Sequence, residues 1–314
     1  MRTALRAIGL AVTISASAAW PCFASLGDAR DAPSEVEGAQ ATKPPVPGEV
    51  EGARATTPAV LSAEKMERFL LNAKITATIK VSKGVTNARQ VRMSDGQLTH
   101  DAQVQDVDIA MPIFQVDPKH TEVNFKDSYR YNIAAYRLSV LLGLDNVPMS
   151  VEREVDRKPA AVTWWVGNVM MEEGDRLKQI KKKTGNPYGP SPARTVGYVG
   201  IMHVFDELIQ NRDRNAGNAL WTQEWKLWMI DHTRAFRLGK ELRDPKSING
   251  CERTLLAKMK ELTAPRLVEV MGKTLTREEI DALITRRDAI VKLIEARIAA
   301  DGEAKVLYTL PNAS

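Results

Sequence analysis

The sequence is poor in the residue types that disulfide-rich proteins and zinc enzymes require. Its 314 residues include 2 cysteines and 4 histidines, and aromatic residues make up 6% of the chain. His100, His120 and His203 lie far apart and do not give the spacing of His, Cys and Asp that is expected for a zinc site. Ser191 and Ser247 lack the context of a nucleophile elbow. A zinc enzyme and a serine hydrolase with a nucleophile elbow are therefore disfavoured.

Long hydrophobic runs are also missing, as is a strong excess of one charge. Hydrophobic residues make up 44% and charged residues 26% of the chain, the net charge is +5, and the mean hydropathy is −0.28. This composition supports a packed core and argues against a bundle of membrane helices. No compact basic and aromatic stripe is present, so we expect no nucleic-acid partner.

The first residues have the pattern of an export signal. Arg2 and Arg6 precede the uncharged apolar stretch Ala7–Ala19, which is shorter than a comfortable bilayer span. Small residues predict cleavage after Ala24, with cleavage after Ala19 as the near alternative. We therefore expect a signal peptide over residues 1–24, a periplasmic or secreted protein, and no stable membrane span after cleavage. An uncleaved anchor is the remaining alternative.

Residues 25–60 are predicted to form a disordered linker. They are rich in Ala, Pro and Glu and have almost no large apolar side chains with which to order themselves. The segment Glu35–Thr42 returns with small changes as Glu49–Thr56, which is one duplication and not a solenoid. Loss of the signal would remove Cys22 and leave Cys251 as the one cysteine, so no internal disulfide is expected.

The remaining chain has β-type segments followed by helical segments. The predicted elements are a helix capped by Ser62, strands at 78–81, 89–93 and 103–109, a helix at 129–142, strands at 147–155 and 160–166, a helix at 195–210, a hairpin at 219–230 and a long helix after Thr276. This order predicts an α+β fold with a β-rich N-lobe over residues 61–166 and a mainly helical C-lobe over residues 167–314.

The segment from Asp213 to Asp231 has the pattern of a phosphate-transfer site. Asp213 and Asn218 are five residues apart in a polar loop that follows a helix, and Asp231 ends an apolar strand. Phosphoryl transfer needs a carboxylate near the accepting hydroxyl and two oxygen ligands that hold a metal against the phosphates. We therefore assign Asp213 as the catalytic residue and Asn218 and Asp231 as metal ligands. An Asp/Asn-rich loop is otherwise most often an ordinary turn.

These residues resemble the atypical protein-kinase-like superfamily: the HipA-type kinases, the phosphoinositide 3/4-kinase-like group and the secretory-pathway kinases of the Golgi and four-jointed type. The shared features are Asn211, Asp213, Arg214 and Asn218, followed by Ile230-Asp231. Further segments resemble an uncharacterised bacterial branch of that superfamily, namely Phe69–Ile75, Asp127–Tyr129, Ala134–Tyr136, Trp164–Val166, Trp228–Phe236 and Gly302–Tyr308. The resemblance covers roughly residues 62–308.

The resemblance implies a bilobed protein-kinase-like fold that holds ATP, with Mg²⁺ or Mn²⁺, between its lobes. It places Gln105 where active relatives have a lysine that contacts the phosphates, and Asn132 where they have a glutamate. Lys80, Lys83 or Lys126 is the alternative source of the missing charge. Gln105, Gly84 and Trp165 are the predicted nucleotide contacts. The loop around Gly84 could equally be an ordinary hairpin turn, and Trp165 could serve packing alone.

Two functions follow from these expectations. The first is an exported kinase-like phosphotransferase that uses a metal–nucleotide complex to modify a protein, a lipid or a small molecule. The second is a catalytically inactive pseudokinase that binds nucleotide or acts as a protein-interaction scaffold. The intact Asp213, Asn218 and Asp231 favour the enzyme. Gln105, Asn132 and an exported location, where ATP is scarce, favour the scaffold.

Overall fold

The computed structural model describes residues 61–81, 88–117 and 120–311. The predicted signal peptide, the predicted linker and Gly84 lie outside these residues. The helices are α1 (Ala63–Asn72), α2 (Arg130–Leu141), α3 (Glu173–Lys182), α4 (Pro192–Ile209), α5 (Arg253–Glu261), α6 (Ala264–Met271), α7 (Arg277–Asp301) and α8 (Glu303–Val306). The strands are β1 (Lys74–Val81), β2 (Arg89–Ser94), β3 (Thr99–Gln105), β4 (Asp108–Asp117), β5 (His120–Ser128), β6 (Ser150–Val155), β7 (Lys158–Trp164), β8 (Val169–Glu172), β9 (Ala219–Thr222), β10 (Leu227–Met229), β11 (Cys251–Glu252) and β12 (Leu307–Tyr308). The predicted α+β fold, β-rich first and mainly helical afterwards, is confirmed.

The N-lobe is an antiparallel sheet with the strand order β1-β2-β3-β7-β6. Buried residues alternate with more exposed ones along β2, where Val91 and Met93 face the core. Phe69 and Leu70 of α1 pack into the same core, and Ser62 caps that helix as predicted. The sheet places Gln105, the last residue of β3, beside β7 and under α2.

The hairpin of β4 and β5 corrects the predicted chain path. We expected one strand over residues 103–109, but β3 ends at Gln105 and a separate strand starts at Asp108. β4 and β5 form their own antiparallel pair between β3 and α2. At the base of the hairpin, the Tyr129 N–H donates to the Val107 carbonyl and fixes the entry into α2.

The C-lobe is built around α4 and α7. Apolar residues of α4, including Phe205 and Leu208, are fully buried against Ile290 and Ile294 of α7. Thr276 and Glu279 form the capping box that starts α7, as the sequence predicts. A smaller antiparallel sheet with the order β10-β9-β8 lies in the same lobe. Its strand β10 leads directly into the segment that carries Asp231.

Two further features of the described residues concern membrane-spanning helices and the cysteine Cys251. No helix in the described ranges is long and apolar enough to cross a membrane. Cys251 is buried and carries a free thiol, whose pKa burial raises to about 12. The thiol is therefore protonated at neutral pH and poorly reactive.

Candidate active site

The polar loop after α4 carries Asp213. The helix ends in Gln210, whose left-handed backbone (φ 48°) turns the chain away from the helix axis. Asn211 then organises the loop, because its side-chain oxygen accepts from the Asp213 N–H at 3.0 Å. This local bond is the Asx-type turn that an Asn/Asp-rich sequence favours. It leaves the Asp213 carboxylate half exposed at the loop surface.

The environment of Asp213 makes it a better proton acceptor than a free aspartate. Burial raises the pKa of the Asp213 carboxyl above its ordinary value, the charge of Asp231 adds to the rise, and Arg234 opposes it. The guanidinium Nη1 of Arg234 lies 3.9 Å from Asp213 Oδ1. A carboxylate with a raised pKa, held near a cation, suits general-base work.

Asn218 and Asp231 come from neighbouring segments that are bonded to each other. The Asn218 side-chain amide donates to the Asp213 carbonyl at 3.1 Å, and the Ile230 N–H donates to the Asn218 carbonyl at 3.0 Å. Asp231 follows β10 in a left-handed conformation (φ 53°), which Asp adopts more readily than most side chains do. The structure therefore places Asp213, Asn218 and Asp231 close together.

Arg214 links the segments that carry Asp213, Asn218 and Asp231. Its guanidinium forms a paired contact with Asp206 of α4, at 2.9 Å, and donates to the carbonyls of Asn218 and Ile230. It also reaches His232 Nε2 at 3.0 Å. Burial first, and the charge of Arg214 second, lowers the pKa of His232 well below its ordinary value, so this ring is neutral and accepts the bond. His232 is thus a packed, locally bonded histidine.

The N-lobe contributes a neutral amide pair to the site. Asn132 of α2 donates to the Gln105 side-chain oxygen at 2.5 Å, and Gln105 donates to Asp231 Oδ1 at 3.4 Å. The Asn132 oxygen in turn accepts from the His232 N–H at 2.8 Å. Both side chains are buried. The two residues predicted to replace the lysine and glutamate of active relatives are therefore bonded to each other and to the Asp231 segment.

The other predicted nucleotide contacts are not brought into this network. Trp165 follows β7, where its N–H donates to the Asp101 carbonyl, and it is not among the residues that line the cavity beside Asp231. The Lys126 ammonium lies 2.6 Å from Glu279 of α7. The side chains of Lys80 and Lys83, like Gly84, lie outside the described residues. Within the described residues, Lys126 therefore does not replace the missing lysine.

The cavity beside Asp231 is small. It has a volume of about 10 Å³ and is lined by residues of both lobes, including Thr163 and Asn132 from the N-lobe and Ile230 and Asp231 from the C-lobe. That volume holds about one water molecule, whereas ligand pockets measure about 300–1,000 Å³. In the arrangement seen here, this cavity is therefore too small for a nucleotide.

A larger cavity lies elsewhere. Its volume is about 440 Å³, and it is bounded by the base of the β4–β5 hairpin, the start of α2 and the start of α7. The Lys126–Glu279 pair is on its wall, together with Arg130 and Lys273. None of Asp213, Asn218 and Asp231 lines it, so it is separate from the site described above.

Asp127 is a site residue to which the sequence gave no role. Asp127 is buried, and its Oδ1 atom accepts no hydrogen bond from the described residues. Burial raises the pKa of Asp127, a hydrogen bond from the Thr233 side chain and the Arg234 charge oppose the rise, and the nearby Asp231 and Asp213 charges add to it. The one signal for it was the Asp127–Tyr129 segment of the family resemblance. Its approach to Asp231 depends on the Ser128 N–H, which donates to the Thr233 carbonyl at 2.9 Å.

The donor set is compatible with a hard cation that keeps most of its own water. Within the described ranges, no group of three or more His, Cys, Asp or Glu residues is placed tightly enough to hold a metal ion. Mg²⁺ is, however, usually bound by one or two protein oxygens together with waters and substrate phosphates. The Oδ1 atom of Asp127 has no hydrogen-bond donor among the described residues. Burial raises the pKa of both Asp127 and Asp213, and the Asp231 charge adds to that rise, an effect that Arg234 opposes and that a bound cation would also oppose.

Comparison with known proteins gives a limited result. No protein-family profile matches the chain, and no curated protein matches it. Among solved structures, the chain is similar to one described as the Helicobacter pylori proinflammatory kinase CtkA. The TM-score is 0.44 and the sequence identity 11%, over 74% of this chain and 98% of that chain. A likeness of this size carries no argument about activity.

Proposed function

We propose that the protein is a kinase-like phosphotransferase that transfers a phosphoryl group from a metal–nucleotide complex to a hydroxyl acceptor. The observation that carries the proposal is the convergence of Asp213, Asn218 and Asp231, linked by Arg214 and faced by Gln105 from the other lobe. In this proposal the set supplies a proton acceptor and two oxygen ligands beside the contact between the lobes, as phosphoryl transfer requires.

In this proposal Asp213 orients the acceptor hydroxyl and takes its proton. The raised pKa of Asp213 increases its basicity, and Arg234, whose Nη1 lies 3.9 Å from the carboxylate, attracts it without forming a short ion pair. Asn218 is held in place because its amide N–H groups face the Asp213 carbonyl, which leaves its oxygen for a ligand. Asp231 offers the charged oxygen ligand beside it. A bound Mg²⁺ or Mn²⁺ would neutralise phosphate charge during transfer.

We also propose that the protein acts outside the cytoplasm, in the periplasm or as a secreted protein. The support is the Arg2, Arg6 and Ala7–Ala19 pattern at the start of the chain. A mass measurement of the natural protein tests this proposal. A mature chain that begins near Ser25 would support it, and an intact Met1 on a cytoplasmic species would contradict it.

The second candidate function is a pseudokinase that binds nucleotide or a protein partner without catalysis. It is favoured by the Gln105–Asn132 pair, because two neutral amides supply no positive charge to the phosphates. It is also favoured by the small cavity beside Asp231. The acceptor of the favoured enzyme is a protein, a lipid or a small molecule.

The experiment that separates the two functions is a thermal unfolding titration with ATP, with and without Mg²⁺ or Mn²⁺. A ligand present at about one hundred times its Kd stabilises the folded state by about 2.7 kcal/mol, or about 5–10 °C for a domain of this size. The enzyme requires a shift that depends on metal and a transfer of phosphate to water or to a supplied hydroxyl. A shift without metal dependence and without transfer would support the pseudokinase.

A further inference from the structure

Glu122 of β5 is buried among three arginines of the C-lobe. Its carboxylate lies 2.8 Å from Arg237, 2.9 Å from Arg234 and 3.7 Å from Arg212. Arg212 directly precedes Asp213, and Arg234 and Arg237 follow Asp231. The three arginines, which we call the arginine cluster, therefore belong to the two segments that form the candidate active site, whereas the carboxylate comes from the inserted hairpin.

The carboxylate of Glu122 fits the arginine cluster incompletely. Arg237 Nη2 and Glu122 Oε1 lie 2.8 Å apart but are not aligned as a hydrogen bond, and each lacks a hydrogen bond within the described residues. Arg234 Nε is also buried without one. Three guanidinium groups present more N–H donors than one carboxylate can accept. Two of the Arg237 donors are taken by the Arg234 and Asn124 carbonyls, but the remaining donors and the positive charge of the cluster suit an external anion in place of Glu122.

The hairpin that carries Glu122 is attached weakly to the rest of the N-lobe. Among the described residues, β4 and β5 pair only with each other, and a two-stranded hairpin is marginally stable alone. Phe125 packs under the guanidinium groups of Arg234 and Arg237, while Ile113 and Val123 remain exposed. Glu122 and Phe125 thus hold this part of the hairpin onto the arginine cluster, while the Asn124 carbonyl, Lys126 and Ser128 attach the hairpin to the C-lobe at further points. Because the hairpin is not paired with the main sheet, Glu122 can be displaced from the arginines without breaking that sheet.

We propose that Arg212, Arg234 and Arg237 form a binding site for an anionic group of the acceptor, a carboxylate or a phosphate, which Glu122 occupies in this structure. The assignment of the anionic group to the acceptor rests on the proposed function, whereas the anion site itself does not depend on that function. Arg234 contacts both Glu122 and Asp213, so an anion in place of Glu122 sets its own neighbouring hydroxyl beside Asp213. Guanidinium groups recognise both anions by paired hydrogen bonds.

The test is a thermal unfolding measurement on the full chain with Glu122→Gln, which removes the resident charge and nearly keeps the shape. The probe is inorganic phosphate, compared with sodium chloride at equal ionic strength. At a concentration about ten times its Kd, phosphate should raise the melting temperature of E122Q by about 3–6 °C more than that of the parent protein. Glu224→Gln, in an exposed turn, is the matched control and should respond like the parent protein.

The outcomes decide between distinct possibilities. An equal response of E122Q, E224Q and the parent protein to phosphate would overturn the anion site. Addition of Arg212→Gln to E122Q should remove most of the extra shift, and an unchanged shift would place the phosphate elsewhere and also overturn it. If E122Q does not fold in chloride, a refolding yield that rises with phosphate supports the site, and a yield equal to that in chloride overturns it.

A second series with acetate separates the two sources of negative charge. Stabilisation of E122Q by acetate as well as phosphate indicates an acceptor with a carboxylate, and stabilisation by phosphate alone indicates a phosphorylated acceptor. Either result supports the anion site. Because these measurements need neither nucleotide nor metal, they succeed or fail independently of the ATP titration. If the protein binds phosphate through the arginine cluster but does not bind ATP, the proposed anion site is supported and the proposed kinase-like function is contradicted.

Discussion

Asp127 combines burial, an unpartnered oxygen and two neighbouring carboxylates, an arrangement that costs stability. Its raised pKa means that the folded state favours the protonated form. The cost is therefore absent below the pKa of the unfolded chain and grows as the pH rises through the pKa of the folded state. A binding site that needs local negative charge can retain such a residue in spite of its cost.

We predict that Asp127→Asn raises the melting temperature at pH 7 by about 2–4 °C, corresponding to about 1 kcal/mol for a domain of this size. The gain should shrink as the pH falls toward 4, because the carboxyl of the parent protein then becomes neutral. Melting curves between pH 4 and pH 8 measure it, with the exposed Asp301→Asn as the control. A variant that is less stable at every pH would show instead that Asp127 is a structural hydrogen-bond acceptor.

Asp213 is expected to act on the reaction and not on ligand binding. We predict that Asp213→Asn lowers the rate of phosphate transfer by about 10²- to 10⁴-fold, the usual contribution of a general base, while ATP and metal still bind. In the parent protein, the raised pKa of Asp213 should move the acid limb of the rate profile above the pH expected for a free aspartate. Rates measured from pH 4 to pH 8 test both points. Loss of binding together with rate would mean that Asp213 supports the fold.

At the scale of elements, Arg214 joins α4, the polar loop and the end of β10. Its pair with Asp206 is about nine-tenths buried. We predict that Arg214→Gln lowers the free energy of unfolding by about 3–5 kcal/mol, because the change leaves Asp206 charged, buried and without its main partner. Urea denaturation measures the loss.

The matched control for Arg214→Gln is Arg253→Gln, which breaks the exposed pair with Glu303. An exposed ion pair contributes about 0–1 kcal/mol, so this control should unfold almost like the parent protein. Equal losses in the two variants would show that Arg214 does not hold the candidate active site together.

The elements that could be predicted from sequence are those with strong local periodicity. Regular apolar spacing gave α2, α4 and α7, and the Thr276 capping box gave the start of α7 within one residue. The β4–β5 hairpin was missed because an alternating pattern resumes at Val107 so soon after β3 that residues 103–109 resemble one strand, although the phase of the alternation changes at Gln105-Asp106. The break at residues 106–107 is fixed by tertiary contacts, including the Tyr129–Val107 bond, which local sequence does not contain.

In the candidate site, too, features set by local sequence could be predicted and features set by tertiary contacts could not. Asp213, Asn218 and Asp231 lie close in sequence within a helix, loop and strand pattern, so their proximity could be predicted. Asp127 and Glu122 reach the site only through long-range contacts of the hairpin with the C-lobe. Their charge gave no local signal, because isolated acids on a strand most often face solvent.

At the scale of the whole molecule, the two lobes meet through the Gln105–Asn132 pair and Asp231. We predict that the double substitution Gln105→Lys and Asn132→Glu tightens binding of metal–ATP by about 10- to 100-fold, since a charged hydrogen bond contributes about 1.5–3 kcal/mol. The introduced glutamate retains an oxygen for the His232 N–H. Calorimetric titration measures the affinity. An unchanged affinity would show that phosphates do not approach Gln105.

The most direct test of the account is the ATP titration of Asp231→Asn in the presence of Mg²⁺. Asn keeps the shape of the side chain but is a weaker ligand for a hard cation. We predict that the metal-dependent rise in melting temperature is lost in this variant, while the melting temperature without ligand stays near that of the parent protein. Asp301→Asn, at the exposed end of α7, should keep the full response. If Asp231→Asn responds to Mg²⁺ and ATP as the parent protein does, Asp231 is not a metal ligand and the proposed active site is wrong.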